Sequence, residues 1–291
     1  MTTRFLQLDV FCERRGGGNP LGVVFGADDW ADDRMQGLAA WTNLVETTFV
    51  LPPTTPEASF RLRIFTPTRE IPFAGHPTIG SAFAVLHTGF AIPRSERLVQ
   101  ECGAGLLPIR IETLAGQQQL FVQAPVASLL LSGPSAVRQS AAALARLAPG
   151  RLPVALVEGG RRWWLAEAAS ESILRQWQPD HPAIAALAFD SGALGVCAFA
   201  RAEPSRDYDL VVRAFPAGVG IVEDPASGAA NGLLAAWLKQ QEPQGPLAGG
   251  YRVSQGRELG RDARIQIEFG ADDAVWVGGC TQLVLNGALY W

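Results

Sequence analysis

The feature that most constrains the fold of this chain is a pattern of strand, loop and helix that occurs twice. The first copy is RLRIFTPTREIPFAGHPTIGSAFAVL, residues 61–86, and the second is VVRAFPAGVGIVEDPASGAANGLLAAWL, residues 211–238. In each copy a β-rich run with Arg two residues before Phe leads into a loop. A polar residue, a proline and a small-residue, apolar helix follow. A duplication of this kind predicts two similar domains.

The two copies align His76-Pro77 with Asp224-Pro225 and place Gly228 opposite Gly80. Proline suits the first turn of a helix, so we expect each helix to begin near its proline. The open N–H groups at a helix start carry a partial positive charge and attract anions. We therefore expect the two helix starts to hold a small carboxylate in a cleft between two domains, with His76 and Asp224 facing it.

Apolar periodicity and turn residues outline the remaining elements. The patterns predict strands at 4–11, 21–25, 46–51, 60–65, 97–100, 106–112, 120–123, 154–157, 163–165, 195–202 and 210–215, and further strands from 252 onward. They predict helices at 32–43, 78–88, 136–147 and 171–176, besides the apolar helix of the second copy. A boundary near 124–134 divides the chain into a domain of residues 1–124, joined by a C-terminal strand near 282–291, and a domain of residues 135–281.

Composition excludes several classes of partner and cofactor. With 24 basic and 28 acidic residues and a net charge of −4, nucleic acid and membranes are not expected as partners. The three histidines form no metal-binding motif, and the glycine-rich stretch at 15–20 matches no phosphate-binding loop. The single lysine, Lys239, lies near a predicted helix end and is expected to reach solvent, which disfavours pyridoxal phosphate. We expect no metal and no cofactor.

The four cysteines are scattered and have no CxxC spacing. The chain begins without the layout of a signal peptide, so we expect reduced, mostly buried thiols and a cytoplasmic protein.

Three polar residues are candidates for chemistry, although each has a simpler interpretation. Asp224 before a helix is typical of an N-cap, and a single turn histidine such as His76 is usually structural. Glu46 in NLVETTFV opens a strand with Thr48 and Val50 on its face, and a glutamate there is usually solvated. The matched positions of His76 and Asp224 in the repeat favour a function for that pair.

Five segments together resemble one protein family. These are LDVFCERRGGGNPLGVV, NLVETTFV, IFTPTREIPFAGHPTIGSA, EDPASGAANG and VSQGRELGR, which run from Leu8 to Arg261. They resemble the PhzF-like proteins, named for a phenazine-biosynthesis isomerase. The resemblance implies an α+β fold similar to diaminopimelate epimerase, with two pseudosymmetric domains, each a curved mixed sheet wrapped around a central helix.

The resemblance also implies a cofactor-independent isomerase of biosynthesis that acts as a homodimer on a small carboxylate substrate. Glu46 matches the family's proton shuttle, and His76 and Asp224 match catalytic residues that also orient the substrate. The substrate-binding residues implied are Asn19, Gly75, Pro77, Gly228 and Ala229. Two positions depart from the pattern, since Ala229 and Val45 stand where the phenazine enzyme has serine. Both changes remove hydroxyl groups and favour a less polar or different acid as substrate.

Two alternatives remain open on the sequence. A two-thiol amino-acid racemase of the diaminopimelate-epimerase kind would need cysteines in the paired loops, and residues 76–80 and 224–228 contain none. A non-catalytic protein that binds a small acid would carry the same residues as the isomerase.

Overall fold

The computed structural model describes residues 3–114 and 116–291. The described strands are β1 (Thr3–Val10), β2 (Asn19–Phe25), β3 (Glu46–Leu51), β4 (Phe60–Phe65), β5 (Glu70–Ile71), β6 (Arg97–Cys102), β7 (Gly105–Leu114), β8 (Gln117–Gln123), β9 (Ser128–Ser132), β10 (Ala155–Gly159), β11 (Arg161–Glu167), β12 (Gly195–Arg201), β13 (Leu210–Phe215), β14 (Tyr251–Gln255), β15 (Ala263–Phe269), β16 (Val275–Gly279) and β17 (Thr281–Leu289). The helices are α1 (Asp32–Thr42), α2 (Gly75–Thr88), α3 (Pro134–Ser140), α4 (Glu171–Gln176), α5 (His181–Ser191) and α6 (Gly228–Gln241).

The chain divides into two compact units. The first consists of Met1–Gln123 together with Gly278–Trp291, and the second is Ala124–Val277. The combination of mixed sheets and few helices confirms the α+β class expected from the sequence.

The first unit is a mixed sheet in the order β17-β1-β2-β3-β4-β6-β7-β8. Two of its neighbouring pairs, β2–β3 and β4–β6, are parallel and the others are antiparallel. Helix α2 packs against β1, β2, β3 and β8. Small side chains and glycine allow this close approach, because a Cβ at Gly80 would lie 2.5 Å from Cδ2 of Leu21. The apolar run that begins at Ile79 is therefore the core of this unit.

The second unit repeats the same order of pairings along its own chain. Strands β9 to β15 follow one another through antiparallel, antiparallel, parallel, antiparallel, parallel and antiparallel pairs, as β17 to β7 do in the first unit. Helix α6 packs against β10, β11 and β15. This shared order of pairings confirms the internal duplication predicted from the two sequence copies.

The arginine of each sequence copy makes the same kind of contact in its unit. Arg63 forms a two-pronged ion pair with Glu70, with nitrogen–oxygen distances of 2.8 and 2.7 Å. Arg213 forms one with Glu223, with both distances 2.9 Å. Each guanidinium also lies over the phenylalanine two residues later, at 5.1 Å from the Phe65 ring and 5.2 Å from the Phe215 ring. The duplication therefore extends to side-chain contacts.

The helix starts differ from the sequence prediction. Helix α2 begins at Gly75, so the Gly-His-Pro segment predicted as a turn forms its first turn. Helix α6 begins at Gly228, and Pro225 therefore lies before the helix instead of in its first turn. The reason is a set of hydrogen bonds that hold residues 224–227 in a separate turn, described below. The predicted helix at 136–147 ends at Ser140, and helix α5 was not predicted.

Lys239 was predicted to extend into solvent, but its side chain contacts neighbouring residues instead. Its Nζ donates to the carbonyl of Ala248 at 3.1 Å, lies 3.6 Å from Asp273 and sits over the Phe269 ring. Within the described residues no helix is long and apolar enough to cross a membrane.

Candidate active site

Two strands and one helix of the first unit bring Asn19, Glu46 and His76 together. Asn19 opens β2 and Glu46 opens β3, and these strands pair in parallel with Leu21 opposite Glu46. Side chains two residues apart on a strand share a face. Leu21 of β2 therefore faces α2 near Gly80, and Thr48 of β3 bonds Ser81 of α2 at 2.9 Å. His76 lies one turn before Gly80 on α2 and contacts the same faces of β2 and β3. The side chains of Asn19, Glu46 and His76 therefore converge.

The three groups make close contacts while shielded from solvent. Nε2 of His76 lies 3.3 Å from Oε2 of Glu46. Nδ1 of the same ring lies 3.4 Å from Nδ2 of Asn19. Asn19 is wholly buried, and His76 and Glu46 are 6% and 8% exposed. Glu46 is thus not the solvated strand-start residue that its position alone suggested.

Burial holds His76 in its neutral form. Desolvation lowers the pKa of His76 to about 3, and a hydrogen bond to the backbone of Pro20 only partly opposes this. The ring also makes a hydrogen bond to the backbone of Pro20, and Nδ1 lies beside the side-chain amide of Asn19. The neutral ring has one protonated and one unprotonated nitrogen, and Nε2 is the nitrogen that faces Glu46.

The contact between Glu46 and His76 can hold a proton on the carboxyl group of Glu46. A protonated Glu46 can donate to Nε2 of His76, while an ionised Glu46 can act as a base. Catalytic hydrogen bonds are often long in the absence of substrate and shorten when it binds. The pair is therefore able to gain and lose a proton at one oxygen atom, which is what acid–base catalysis on carbon requires.

Asp224 lies in the second unit, in the turn that precedes α6. Its N–H donates to the carbonyl of Ala214 at 2.8 Å, and its Oδ1 accepts from Ala226 at 3.1 Å. Nε2 of Gln255 donates to the Asp224 carbonyl at 2.7 Å, and Oε1 of the same side chain accepts from Ser227 at 3.3 Å. Asp224 is partly exposed and does not cap α6. The N-cap is Ser227, whose side chain accepts from the third helical residue, so the simple interpretation of Asp224 as an N-cap is wrong.

The other predicted binding residues occupy the first turns of the two helices. Gly75 and Pro77 are the first and third residues of α2. Gly228 and Ala229 are the first two residues of α6, and the methyl group of Ala229 is exposed. Gly75, Gly228 and Ala229 lie where backbone N–H groups lack partners within the helix, and Pro77 has no N–H group.

Two residues that hold the turn before α6 and the loop before Asn19 were not predicted from the sequence. Gln255 ties the turn before α6 together from β14, as described above. Asp9 at the end of β1 accepts hydrogen bonds from the loop that leads to Asn19. An acidic residue near the end of a strand, before the glycine run at 16–18, was the available signal for Asp9.

The thiols do not resemble a catalytic pair. Burial raises the pKa of Cys12 and of Cys197 to about 12, which disfavours the reactive thiolate. Cys280 is also buried, and Cys102 is partly buried. A two-thiol racemase is therefore not supported by these groups.

Comparison with known proteins gives a consistent relationship. The family model described as phenazine biosynthesis-like protein matches residues 8–287. The chain is 34% identical to a trans-2,3-dihydro-3-hydroxyanthranilate isomerase of Pseudomonas aeruginosa, over 90% of this chain and 88% of that protein. It is 32% identical to antisense-enhancing sequence 1 of Schizosaccharomyces pombe, over 97% of each chain.

A solved structure shows the same fold over the full length. The chain aligns with a phenazine biosynthesis protein of the PhzF family from Bacillus anthracis with a TM-score of 0.86, at 21% identity and with all of both chains covered. From the family match and the isomerases among its relatives, the chain belongs to the phenazine biosynthesis-like (PhzF) family and is an isomerase.

Proposed function

We propose that this isomerase moves a carbon-bound proton on a small carboxylic acid, with Glu46 as the proton shuttle and without a cofactor. The observation that carries the proposal is the contact of 3.3 Å between the buried Glu46 and the neutral His76. Within the described residues no three His, Cys, Asp or Glu side chains are grouped as a metal site requires.

The proposed reaction needs one group that takes a proton and returns it. Ionised Glu46 removes a proton from a substrate carbon, and the electron pair left behind is delocalised toward the conjugated system of the acid. The protonated Glu46 is then held by a hydrogen bond to Nε2 of His76 until it returns the proton to a second carbon. Atoms and charge balance without an oxidant or reductant. Such a positioned acid–base group contributes typically about 10²–10⁴ in rate.

Asp224 and the start of α6 are proposed to bind the acid. The open N–H groups near Gly228 suit a carboxylate, since a helix start stabilises an anion by about 0.3–1 kcal/mol at an exposed site. Asn19, Gly75 and Pro77 are proposed to bind the substrate from the first unit. These roles are predictions from the sequence resemblance, and the exposure of Asp224 and Ala229 is compatible with them.

The substrate is proposed to be less polar than that of the related phenazine enzyme. Val45 and Ala229 offer no hydroxyl group, and a site that cannot satisfy a substrate hydroxyl gains little from it. An acid that lacks a hydroxyl at the corresponding positions would leave no polar group unpaired.

Deuterium exchange tests the proposed function. The protein is incubated in D2O with a mixture of small unsaturated, hydroxylated and amino carboxylic acids, and deuterium on carbon is read by NMR and mass spectrometry. We expect incorporation or isomerisation of at least one acid, lost in Glu46→Gln. Binding of an acid by calorimetry without any exchange would instead favour the second candidate, a non-catalytic small-acid binding protein, and would overturn the isomerase mechanism.

A further inference from the structure

The side-chain carboxylate of Asp9 accepts hydrogen bonds from the loop between β1 and β2, residues 11–18. Asp9 is 2% exposed and is the second-last residue of β1. Its Oδ1 accepts the N–H of Gly18 at 3.1 Å, and its Oδ2 accepts the N–H of Gly16. Two charge-assisted hydrogen bonds to the same loop fix the path by which the chain returns to β2.

The path of this loop positions Asn19 and Pro20, the two residues of β2 that contact the His76 ring. Asn19 is the first residue of β2 and pairs with Val10, the last residue of β1. Pro20 follows it and is opposite Asp9 in the ladder. Because proline has no N–H, it cannot donate a ladder hydrogen bond at this position. Pro20 therefore contributes no N–H to the pairing at the end of β2 that contacts the His76 ring.

We infer that Asp9 is a positioning residue for the active site, which fixes the Asn19-Pro20 end of β2 and thereby the orientation of His76 toward Glu46. The carboxylate holds the chain immediately before Asn19 through the N–H groups of Gly16 and Gly18. Asn19 and Pro20 can then contact the His76 ring from one side while Nε2 faces Glu46. Asp9 acts through these neighbours and is not itself placed against the substrate.

The effect on turnover rests on the proposed function, whereas the effect on His76 does not. A misplacement of a catalytic group by about 1 Å can cost on the order of 10²-fold in rate. We therefore expect Asp9→Asn to lower the rate of carbon–hydrogen exchange by up to about 100-fold while the KM for the acid changes little. The His76 spectrum is recorded without any acid, so it separates a failure of this inference from a failure of the isomerase mechanism.

The decisive experiment compares two buried carboxylates that each accept two backbone N–H groups of a loop, although Glu167 also pairs with Arg201 at 3.1 Å. Glu167 is 4% exposed, and its Oε2 accepts the N–H groups of Arg151 and Leu152 at 2.7 and 2.8 Å in the second unit. Asp9→Asn and Glu167→Gln each turn one accepting oxygen into a donor. The readout is the ¹⁵N spectrum of the histidine rings, which is simple because the chain has three histidines.

We expect wild type and Glu167→Gln to show the same ring ¹⁵N shifts for His76, those of a single tautomer. Asp9→Asn should lose this pattern and show a mixture of tautomers. An unchanged His76 pattern in Asp9→Asn would overturn the inference. If Asp9→Asn does not fold, hydrogen exchange of the wild-type amide protons is the deciding measurement. Slow exchange at Gly16 and Gly18 supports the role of Asp9 in holding the loop. Exchange at the rate of an unstructured loop overturns the inference.

Discussion

Replacement of His76 should change how the stability of the protein depends on pH. Burial lowers the pKa of this imidazole from 6.5 to about 3. Between these two values the unfolded chain binds a proton at His76 that the folded protein does not bind. Stability therefore falls as the pH falls below 6.5, at about 1.4 kcal/mol per pH unit. From pH 7.5 to pH 5.0 this single group removes about 2 kcal/mol from the free energy of unfolding.

The assay is urea unfolding of wild type, His76→Gln and His87→Gln at pH 7.5 and pH 5.0. Titrating groups that do not contact residue 76 contribute equally to all three proteins, so only the difference in pH dependence is interpreted. His76→Gln should lose about 2 kcal/mol less than wild type on acidification. His87→Gln is the matched control, because His87 is exposed on the same helix, and it should follow wild type. An equal loss in wild type and His76→Gln would refute a neutral, buried His76.

Three further substitutions, two of them paired with a comparison variant, test the packing and the proposed binding role of Asp224. Arg213→Ala breaks a buried ion pair and should cost about 3–5 kcal/mol of unfolding free energy. The equivalent Arg63→Ala breaks a more exposed pair and should cost about 1 kcal/mol or less, so equal losses in chemical denaturation would contradict the burial argument. Gly80→Ala introduces a methyl group against Leu21 and should cost about 1–3 kcal/mol. Gly249→Ala meets no heavy atom within 4 Å and is the matched control. Asp224→Asn should raise the KM for the acid as well as lower turnover, and a fall in kcat at unchanged KM would argue against a binding role.

Local sequence patterns predicted much of the fold because strands and apolar helices have a clear period. The duplication was visible because equivalent arginines precede equivalent phenylalanines, and both arginines make the same type of ion pair. The starts of α2 and α6 were harder to place. The hydrogen bonds that keep residues 224–227 out of α6 come from Gln255, which is distant in sequence, and no local pattern reports them.

In the candidate site, too, the sequence predicted local features but not those that depend on residues distant in sequence. Glu46 and His76 were identified as candidates from their motifs, but their burial and contact depend on how α2 crosses β3. The role of Asp9 depends on hydrogen bonds across a loop of seven residues or more. The homodimer and the substrate-binding roles implied by the family resemblance stay predictions, which the substitutions above and a sedimentation experiment can test.

The most direct test of the account is the rate at which Glu46→Gln exchanges a carbon-bound hydrogen of the acid in D2O. Glutamine keeps the shape of the side chain but cannot carry a proton from one carbon to another. We expect a rate lower by about 10²–10⁴-fold, with binding of the acid and thermal stability retained. Glu167→Gln, which also alters one buried carboxylate, should exchange at the wild-type rate. Exchange by Glu46→Gln at the wild-type rate would contradict the assignment of Glu46 as the proton shuttle.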